Sequence, residues 1–330
     1  MSTVLPHIIT LASRLSIAAA LALALQTPAV CASWPSKTVT IIDPYSPGGT
    51  TDFIARVVGE RLSLTLGKTF VVENRGGAGG TIGTATMLQS KPDGHTLLIN
   101  NMSIAFSKAL YPSLAYDTEK DIIPVALVGF TPTILAVSNS LKAHSIRELI
   151  DLAKAEPGKL DYGSAGIGST GHMAMVAFQK AANIQLEHIP YKGAGQVMTD
   201  LIAGRVPIFM NTITPMVPTV KAGSIRALGS SGKSRSAALP NVPTIAESGL
   251  PGFVYAPWFA FFAPARTPAD VVARIHAEIY QAISDPQVAA KLSAQGIELE
   301  QADVDTFNKR YHSDIREWTK TIQDLGIKLQ

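Results

Sequence analysis

Short apolar runs alternate with helix-period segments along most of this chain, and glycine-rich turns join the first of them. Residues 39–42 form an apolar run, SPGGTTD follows at 46–52, and apolar residues then recur at helical spacing through Phe53, Ile54, Val57, Val58, Leu62 and Leu66. A second apolar run at 70–72 leads into ENRGGAGGT at 73–81 and another helix-like segment. This repeat constrains the fold strongly. A strand that turns into a helix returns as a parallel neighbour, so repeated units predict an α/β chain with a largely parallel sheet and helices on both faces. It also carries chemistry, because glycine lets the backbone approach a ligand and the free N–H groups of a helix start point at it.

In the first turn, the N–H groups of Gly48, Gly49 and Thr50, with the Thr51 side chain, are candidate contacts for a carboxylate. The same residues also read as a plain βα turn in which Thr50, Thr51 or Asp52 caps the helix. The second turn tilts the reading toward a ligand. Arg75 adds a positive charge there, and Gly76, Gly77, Gly79, Gly80 and Gly83 exceed what a plain turn needs.

Further along, strands are predicted over 69–73 and 96–100, and helices over 51–66, closed by Gly67, and over 82–90. The uncharged run at 125–137 reads as a crossover outside either domain's own elements. A second alternating block follows: helices over 145–156, 171–182, 194–203 and 217–222, and strands over 161–164, 187–190, 208–211 and 227–230. Another apolar, aromatic run spans 253–264, and the chain ends in helices over 268–284, 286–294 and 303–325. Two crossovers around a central block imply that the chain leaves its first domain, builds a second and returns, as a hinge-closing binder does. The competing arrangement is one large α/β sheet enzyme. No solenoid-period repeat or low-complexity tract is visible.

The first 32 residues read as a cleavable export signal. Arg14 is the only charged residue before Lys37, residues 15–25 are an apolar core, and Val30, Cys31 and Ala32 offer a small-residue cleavage site. Cys31 as a lipidation site and an uncleaved anchor are the alternatives. Cleavage leaves roughly 300 residues, enough for two α/β domains. No apolar stretch of about 18 residues follows. The formal charge of +3 gives no support for nucleic-acid binding. Cys31 is the only cysteine, so a chain cut after it has neither a disulfide nor a catalytic thiol. That suits an oxidising periplasm.

Residues 162–172 read YGSAGIGSTGH, and Gly166, Gly168 and Gly171 match the spacing of a dinucleotide turn, with Glu187 at the distance of a ribose acid. This is the alternative enzyme or nucleotide-binding reading, and the same geometry suits any anion at a helix start. Ser164 and Ser169 lack the nucleophile-elbow frame. His172 follows Ser169 by three residues with no acid placed to orient it, so it reads as a ligand donor or a polar contact at the helix start. The remaining histidines show no metal-ligand spacing. Lys192, in a turn that opens a helix, is either a cleft cation or a solvated lysine. Trp258 and Phe259 either line a cleft or pack at a hinge.

Eight motifs together carry a resemblance: PGGTTD at 47–52, VVENRGGAGGTIG at 71–83, PDGHTLL at 92–98, LDYGSAGIGSTGH at 160–172, HIPYKGAG at 188–195, KAGSIRAL at 221–228, LPNVPTIAESGLPGF at 239–253 and WFAFFAPARTP at 258–268. They span nearly the whole chain after the leader. The chain resembles the periplasmic solute-binding components of tripartite tricarboxylate transporters, the Bug-type receptors. The resemblance implies a type II periplasmic-binding-protein fold: two lobes, each with a mainly parallel sheet flanked by helices, and a ligand cleft between them. Lobe one would comprise 34–130 and 256–330, and lobe two 131–255.

The resemblance further implies a small carboxylate ligand, no cofactor, no enzymatic turnover, and a monomer that delivers its ligand to a membrane permease or a signalling partner. Loops 47–52 and 76–81, the latter with Gly79, Gly80 and Thr81, would hold the carboxylate, partly through ordered waters. Tyr45 matches an aromatic lining the cleft, and Ser103 a hydroxyl position after the third strand. Gly168, Ser169, Thr170, His172 and Tyr191 match ligand-facing positions of the second lobe. Three departures bear on selectivity. Ile167 replaces a usual asparagine, Asn211 a usual aspartate, and Asn101 and Ala105 a usual threonine and histidine. All point to a less charged, more apolar site, suited to an aromatic or simple mono- or dicarboxylate rather than an amino acid.

Overall fold

Val39–Asp43 forms β1, Thr50–Leu66 α1 and Phe70–Asn74 β2, the first strand–turn–helix unit. Gly67 closes α1, with its N–H bonded to Ser63 O. The structure, a computed structural model, describes residues 34–324, 326 and 327. The export signal expected at 1–32, Cys31 included, falls outside the described residues. Among the described residues no helix is long and apolar enough to cross a membrane.

The second unit repeats the first. A 3-10 turn, Ala78–Gly80, precedes α2 (Thr81–Leu88), and β3 (Thr96–Asn101) runs into a 3-10 segment, Met102–Phe106, and α3 (Ser107–Leu110). The run at 125–137 is not a bare crossover. It supplies Ile122–Phe130 as β4 and Thr133–Val137 as β5, in different sheets. An apolar stretch can be buried only if its backbone N–H and C=O groups are paired, and sheet ladders pair them.

The middle of the chain carries α4 (Ile146–Ala155), β6 (Asp161–Ser164), α5 (Thr170–Ala182), β7 (Glu187–Pro190), α6 (Ala194–Ile202) and β8 (Ile208–Thr212). Then come α7 (Ile213–Lys221) and β9 (Arg226–Ser230). The sequence places the start of α7 at 217, after Pro215. The helix begins at 213 because Pro215 falls in the first turn, where no N–H is needed, and Pro218 removes one bond. The chain returns through β10 (Trp258–Pro264) and closes with α8 (Ala269–Ser284), α9 (Pro286–Ala294), the short β11 (Glu298–Leu299) and α10 (Val304–Asp324).

Two sheets result, ordered β11-β4-β10-β3-β1-β2 and β7-β6-β8-β5-β9. In the first, β1 pairs parallel with β2 and β3, and β10 pairs antiparallel with both β3 and β4. So β1 to β4 run one way, with β10 inserted against them. In the second, β6 pairs parallel with β7 and β8, and β5 pairs antiparallel with β8 and β9. Each sheet is therefore mainly parallel: β5 alone is reversed in the second, and β10 and the short edge strand β11 are reversed in the first, with β5 and β10 the strands by which the chain enters each sheet from the other. The parallel strands of each sheet end at the loops that begin α1, α2, α5 and α6.

The apolar run behind β10 builds the core of the first sheet. Phe259, Phe261 and Phe262 are fully buried, and Trp258 meets Phe307 edge-on, 5.3 Å between ring centroids. Trp258 Nε1 donates to Asp314 Oδ2 at 2.6 Å. Trp258 thus belongs to the core, as its apolar setting suggests. Phe307, Tyr311, Ile315 and Ile322 form the buried stripe of α10, which covers the 102–106 segment and β4. Tyr311 OH donates to Thr118 O at 2.8 Å. The C-terminal helix therefore backs the segment that leads out of β3 toward the ligand loops.

Candidate functional site

A cavity of about 1040 Å³ lies where the helix-start loops of the two sheets face each other. From the first sheet it is lined by Tyr45, Gly48, Gly49, Thr50 and Thr51, then by Gly79 and Gly80, with Asn74, Asn101, Tyr111 and Phe259 beside them. From the second sheet come Ile167, Ser169, Thr170, Tyr191, Asn211 and Thr212. Side chains bridge the two walls. Thr50 Oγ1 donates to Thr212 Oγ1 at 2.8 Å, and Thr170 Oγ1 to Asn101 Oδ1 at 2.9 Å. The Tyr111 hydroxyl lies 3.5 Å from Ile167 O.

The start of α1 is the strongest anion feature. Its N-cap is Gly49 in an extended conformation, and no side chain caps it. The sequence offers Thr50, Thr51 or Asp52 as caps. Instead Thr50 is the first helical residue and spends its hydroxyl across the cavity on Thr212. An uncapped helix start leaves N–H groups and the positive end of the dipole for a ligand. Asp52 does not line the cavity. Its carboxylate accepts from Gly48 N at 3.0 Å, from Arg56 Nε at 3.0 Å and from Asn74 Nδ2 at 3.1 Å, which holds it below the usual carboxylate range despite burial. Asp52 thus shapes the loop from behind, and the Gly48 N–H is already engaged.

The second loop is built for close approach. Gly79 has φ +62°, and a Cβ there would meet Tyr111 Oη at 2.8 Å and Ile167 O at 3.2 Å. The helix start after it, at Gly80, also lacks a side-chain cap. Thr81 turns its hydroxyl onto Ala78 O at 2.9 Å and does not line the cavity. Arg75 pairs with Glu73, both partly exposed, and brings no charge to the site. Tyr45 lines the wall, but its hydroxyl is held by Ser103 Oγ and by Asn100 Oδ1 at 3.3 Å, and burial keeps it protonated. Ser103, buried beneath Tyr45, positions that ring rather than facing the cavity.

The turn at 166–171 uses its own N–H groups. Gly166 N donates to Ser164 Oγ at 3.1 Å, Ser169 N to Gly166 O at 3.1 Å, and Gly168 N to His172 Nδ1 at 3.2 Å. A phosphate would find these three donors taken, which counts against the dinucleotide reading. Gly171 serves packing: a Cβ there would lie 2.1 Å from Met210 O, where α5 crosses β8. Gly168 and His172 do not line the cavity. His172 stacks on His188 with ring centroids 4.2 Å apart, and His188 Nε2 lies 2.7 Å from Ser164 Oγ. Burial, with His188 beside it, lowers His172 to about 3, and burial lowers His188 to about 4. Both rings are neutral and buttress the loop from below.

Tyr191 presents its ring to the cavity while its hydroxyl donates to Asp200 Oδ2 at 2.8 Å; burial, then this bond, raises it to about 12. Lys192 is exposed at the rim and is the one lysine or arginine among the lining residues, which include no aspartate or glutamate. Sequence reasoning missed Asn74, Tyr111, Met198 and Pro215 as lining residues. Tyr111, Met198 and Pro215 sit in no glycine turn, so no local pattern marks them; Asn74 opens the second turn, ahead of its glycines, where the eye goes to Arg75 instead. Among the described residues no group of three or more histidine, cysteine or acidic side chains is placed to hold a metal ion.

Comparison with known proteins agrees with this architecture. The chain matches the family described as Tripartite tricarboxylate transporter family receptor over residues 54–327. It is 36% identical over 319 residues to the UPF0065 protein in the tcbD-tcbE intergenic region of Pseudomonas sp. (strain P51), covering 95% of each chain. It is 34% identical to protein BugT of Bordetella pertussis, covering 92% of this chain and 94% of that one. Among solved structures, Rpa4515 of R. palustris with adipate superposes with a TM-score of 0.85 at 32% identity, over 90% of this chain and 100% of that one. The periplasmic binding protein BugD gives 0.84 at 29% identity, over 90% of this chain and 100% of that one. MatC from Rhodopseudomonas palustris with bound malate gives 0.81 at 29%, over 88% of this chain and 100% of that one. The fold is that of these two-lobed α/β binding proteins, and the family is one of solute-binding receptors rather than enzymes. This chain belongs to the tripartite tricarboxylate transporter receptor family.

Proposed function

We propose that this protein is a periplasmic receptor that captures a small carboxylate between its two lobes and delivers it to a tripartite-type membrane permease or a signalling partner. The uncapped start of α1, opening into the cavity at Gly49, Thr50 and Thr51, is the observation that carries this reading. The carboxylate is held there and at Gly79 by backbone N–H groups, Gly80 lets the wall approach closely while its own N–H is bonded to Gly77 O, and Ser169, Thr170, Tyr191 and Asn211 meet the rest of the molecule. The related structures with adipate and malate support the ligand class.

No acidic side chain lines the cavity, so an ammonium group would have no counterion there. Ile167, Met198, Pro215 and Phe259 supply apolar surface. A mono- or dicarboxylate with an uncharged, apolar body therefore fits better than an amino acid. The lobes comprise 34–130 with 256–330, and 131–255, and the receptor acts as a monomer after export and cleavage near Ala32.

Mass spectrometry of ligand released from natively purified protein, followed by calorimetric titration of that acid, tests the reading. A carboxylate recovered unchanged, whose affinity falls in Gly49→Val and Thr51→Ala while the fold persists, is the expected result. Unchanged affinity in both variants sinks the loop assignment, and a product that accumulates with time sinks the receptor role.

A further inference from the structure

Asp43 ends β1 immediately before the anion loop, and its side chain reaches neither solvent nor the cavity. Its Oδ1 accepts the Tyr45 N–H at 3.2 Å, and its Oδ2 accepts from Asn74 Nδ2 at 3.0 Å. The same Asn74 nitrogen lies 3.1 Å from Asp52 Oδ1 and 3.1 Å from Tyr45 O. Asn74 Oδ1 accepts from Arg56 Nη2 at 3.1 Å, which turns the amide nitrogen toward the acids. A side-chain amide has two hydrogens. Three oxygens therefore compete for two protons, and two of those oxygens belong to carboxylates.

A neutral Asp43 resolves the conflict. The Asn74 hydrogens then serve Asp52 and Tyr45 O, while the Thr51 hydroxyl, which hydrogen-bonds the Asp43 carboxyl, favours the ionised form and is outweighed by burial. The ionised groups facing Asp43 come from α1: Asp52, which disfavours its charge, and Arg56, which favours it. Tyr45 is held neutral by burial, β3 and α2 contain no ionisable residue, and Glu73 on β2 pairs with Arg75. Burial is the largest influence and pushes Asp43 up to about 7, against the Thr51 bond and with Asp52.

We propose that Asp43 is a proton-holding positioning residue of the anion loop, so that capture of a carboxylate at 46–52 takes up a proton. The inference rests on the carboxylate reading of that loop. A ligand carboxylate brings a further negative charge against a loop whose underside already holds Asp52, and an ionised Asp43 is then the group that gives way. Tyr45 and Thr51, its hydrogen-bond partners, line the cavity, so the proton also fixes the wall the ligand meets. By linkage, affinity weakens above about pH 7, approaching at most about tenfold per pH unit.

Asp43→Asn keeps the shape and removes the charge. The probes are adipate, malate, succinate and benzoate, titrated calorimetrically in two buffers of different ionisation heat. Fractional proton uptake by the wild type near neutral pH, with affinity falling toward about pH 9, and neither effect in Asp43→Asn, is the expected result. The ligand-free proteins give an independent reading. A carboxyl raised in the folded state stabilises at low pH and loses that contribution as pH rises through its folded value, so wild-type melting temperature should fall relative to Asp43→Asn from about pH 4 to about pH 8. Parallel melting profiles, or wild-type binding without pH dependence, overturn the inference and leave the carboxylate reading intact. If none of the four acids binds, the carboxylate reading falls and the coupling falls with it.

Discussion

The Thr50 hydroxyl donates to Thr212 Oγ1 at 2.8 Å, joining the first residue of α1 to the last residue of β8. Both threonines are buried and both line the cavity, so closure of the two walls and the shape of the ligand site share one bond. Removing one partner leaves the other hydroxyl buried without a partner, at about 1 kcal/mol or somewhat more. Thr50→Val and Thr212→Val should each weaken ligand binding about five- to tenfold. The double variant should cost less than the two singles combined; strictly additive calorimetric losses would show that the bond does not contribute to the bound state.

Gly79→Val tests close approach at the second loop. The new side chain meets the Tyr111 hydroxyl and Ile167 O, and the backbone there has positive φ. Strain of about 1–2 kcal/mol is expected from the conformation alone. The steric block to closure should lower affinity by more than about tenfold beyond what the change in melting temperature explains. Wild-type affinity in the variant would mean that the walls do not meet at Gly79 in the bound protein.

Lys192 is the lone cation of the lining and sits at its exposed rim. A rim charge steers an anion more than it holds one. Lys192→Gln should therefore slow association several-fold at low salt and have little effect at about 0.5 M salt, where screening is short-ranged. Stopped-flow association rates at both salt levels check this, and a loss confined to the dissociation rate would place Lys192 in direct contact with the ligand.

The histidine pair predicts acid sensitivity. His172 and His188 are lowered from 6.5 to about 3 and about 4, so the folded protein holds them neutral while the unfolded chain protonates them. The stability tied to neutral rings is present above about pH 6.5 and is lost as pH falls toward their folded values. Protonation would also remove the acceptor that His172 Nδ1 offers to Gly168 N–H. Urea midpoints should drop for the wild type between about pH 7 and 4.5, and less steeply for His188→Gln. Equal slopes would exclude the pair as the source.

The first strand–turn–helix unit was legible because its signals are local. The apolar run of β1, the helical spacing from Phe53 to Leu66 and the stop at Gly67 depend on neighbours within a few residues. The cap was not legible. Thr50, Thr51 and Asp52 are all good caps by type, yet Thr50 is drawn to Thr212, a residue of the other sheet, and Asp52 to Arg56 and Asn74. The run at 125–137 shows the same limit. Its apolarity is plain in the sequence, but its division between β4 and β5 depends on which strands stand ready to pair with it.

The sequence by itself determined the α/β alternation, the two glycine loops and the motifs that mark the receptor family, because periodicity, turn chemistry and motif spacing are properties of contiguous residues. The tertiary structure decided which polar groups face the ligand. Gly168, His172, Thr81 and Asp52 belong to the right motifs, and Ser103 to a matching position after the third strand, yet their donors and acceptors are taken by partners from Ala78 and Tyr45 to Asn74. Tyr111, Met198 and Pro215 carry no motif and reach the cavity because packing brings them there. A hydrogen bond satisfied inside the fold is unavailable to a ligand, and which bonds are satisfied depends on residues far apart in the chain.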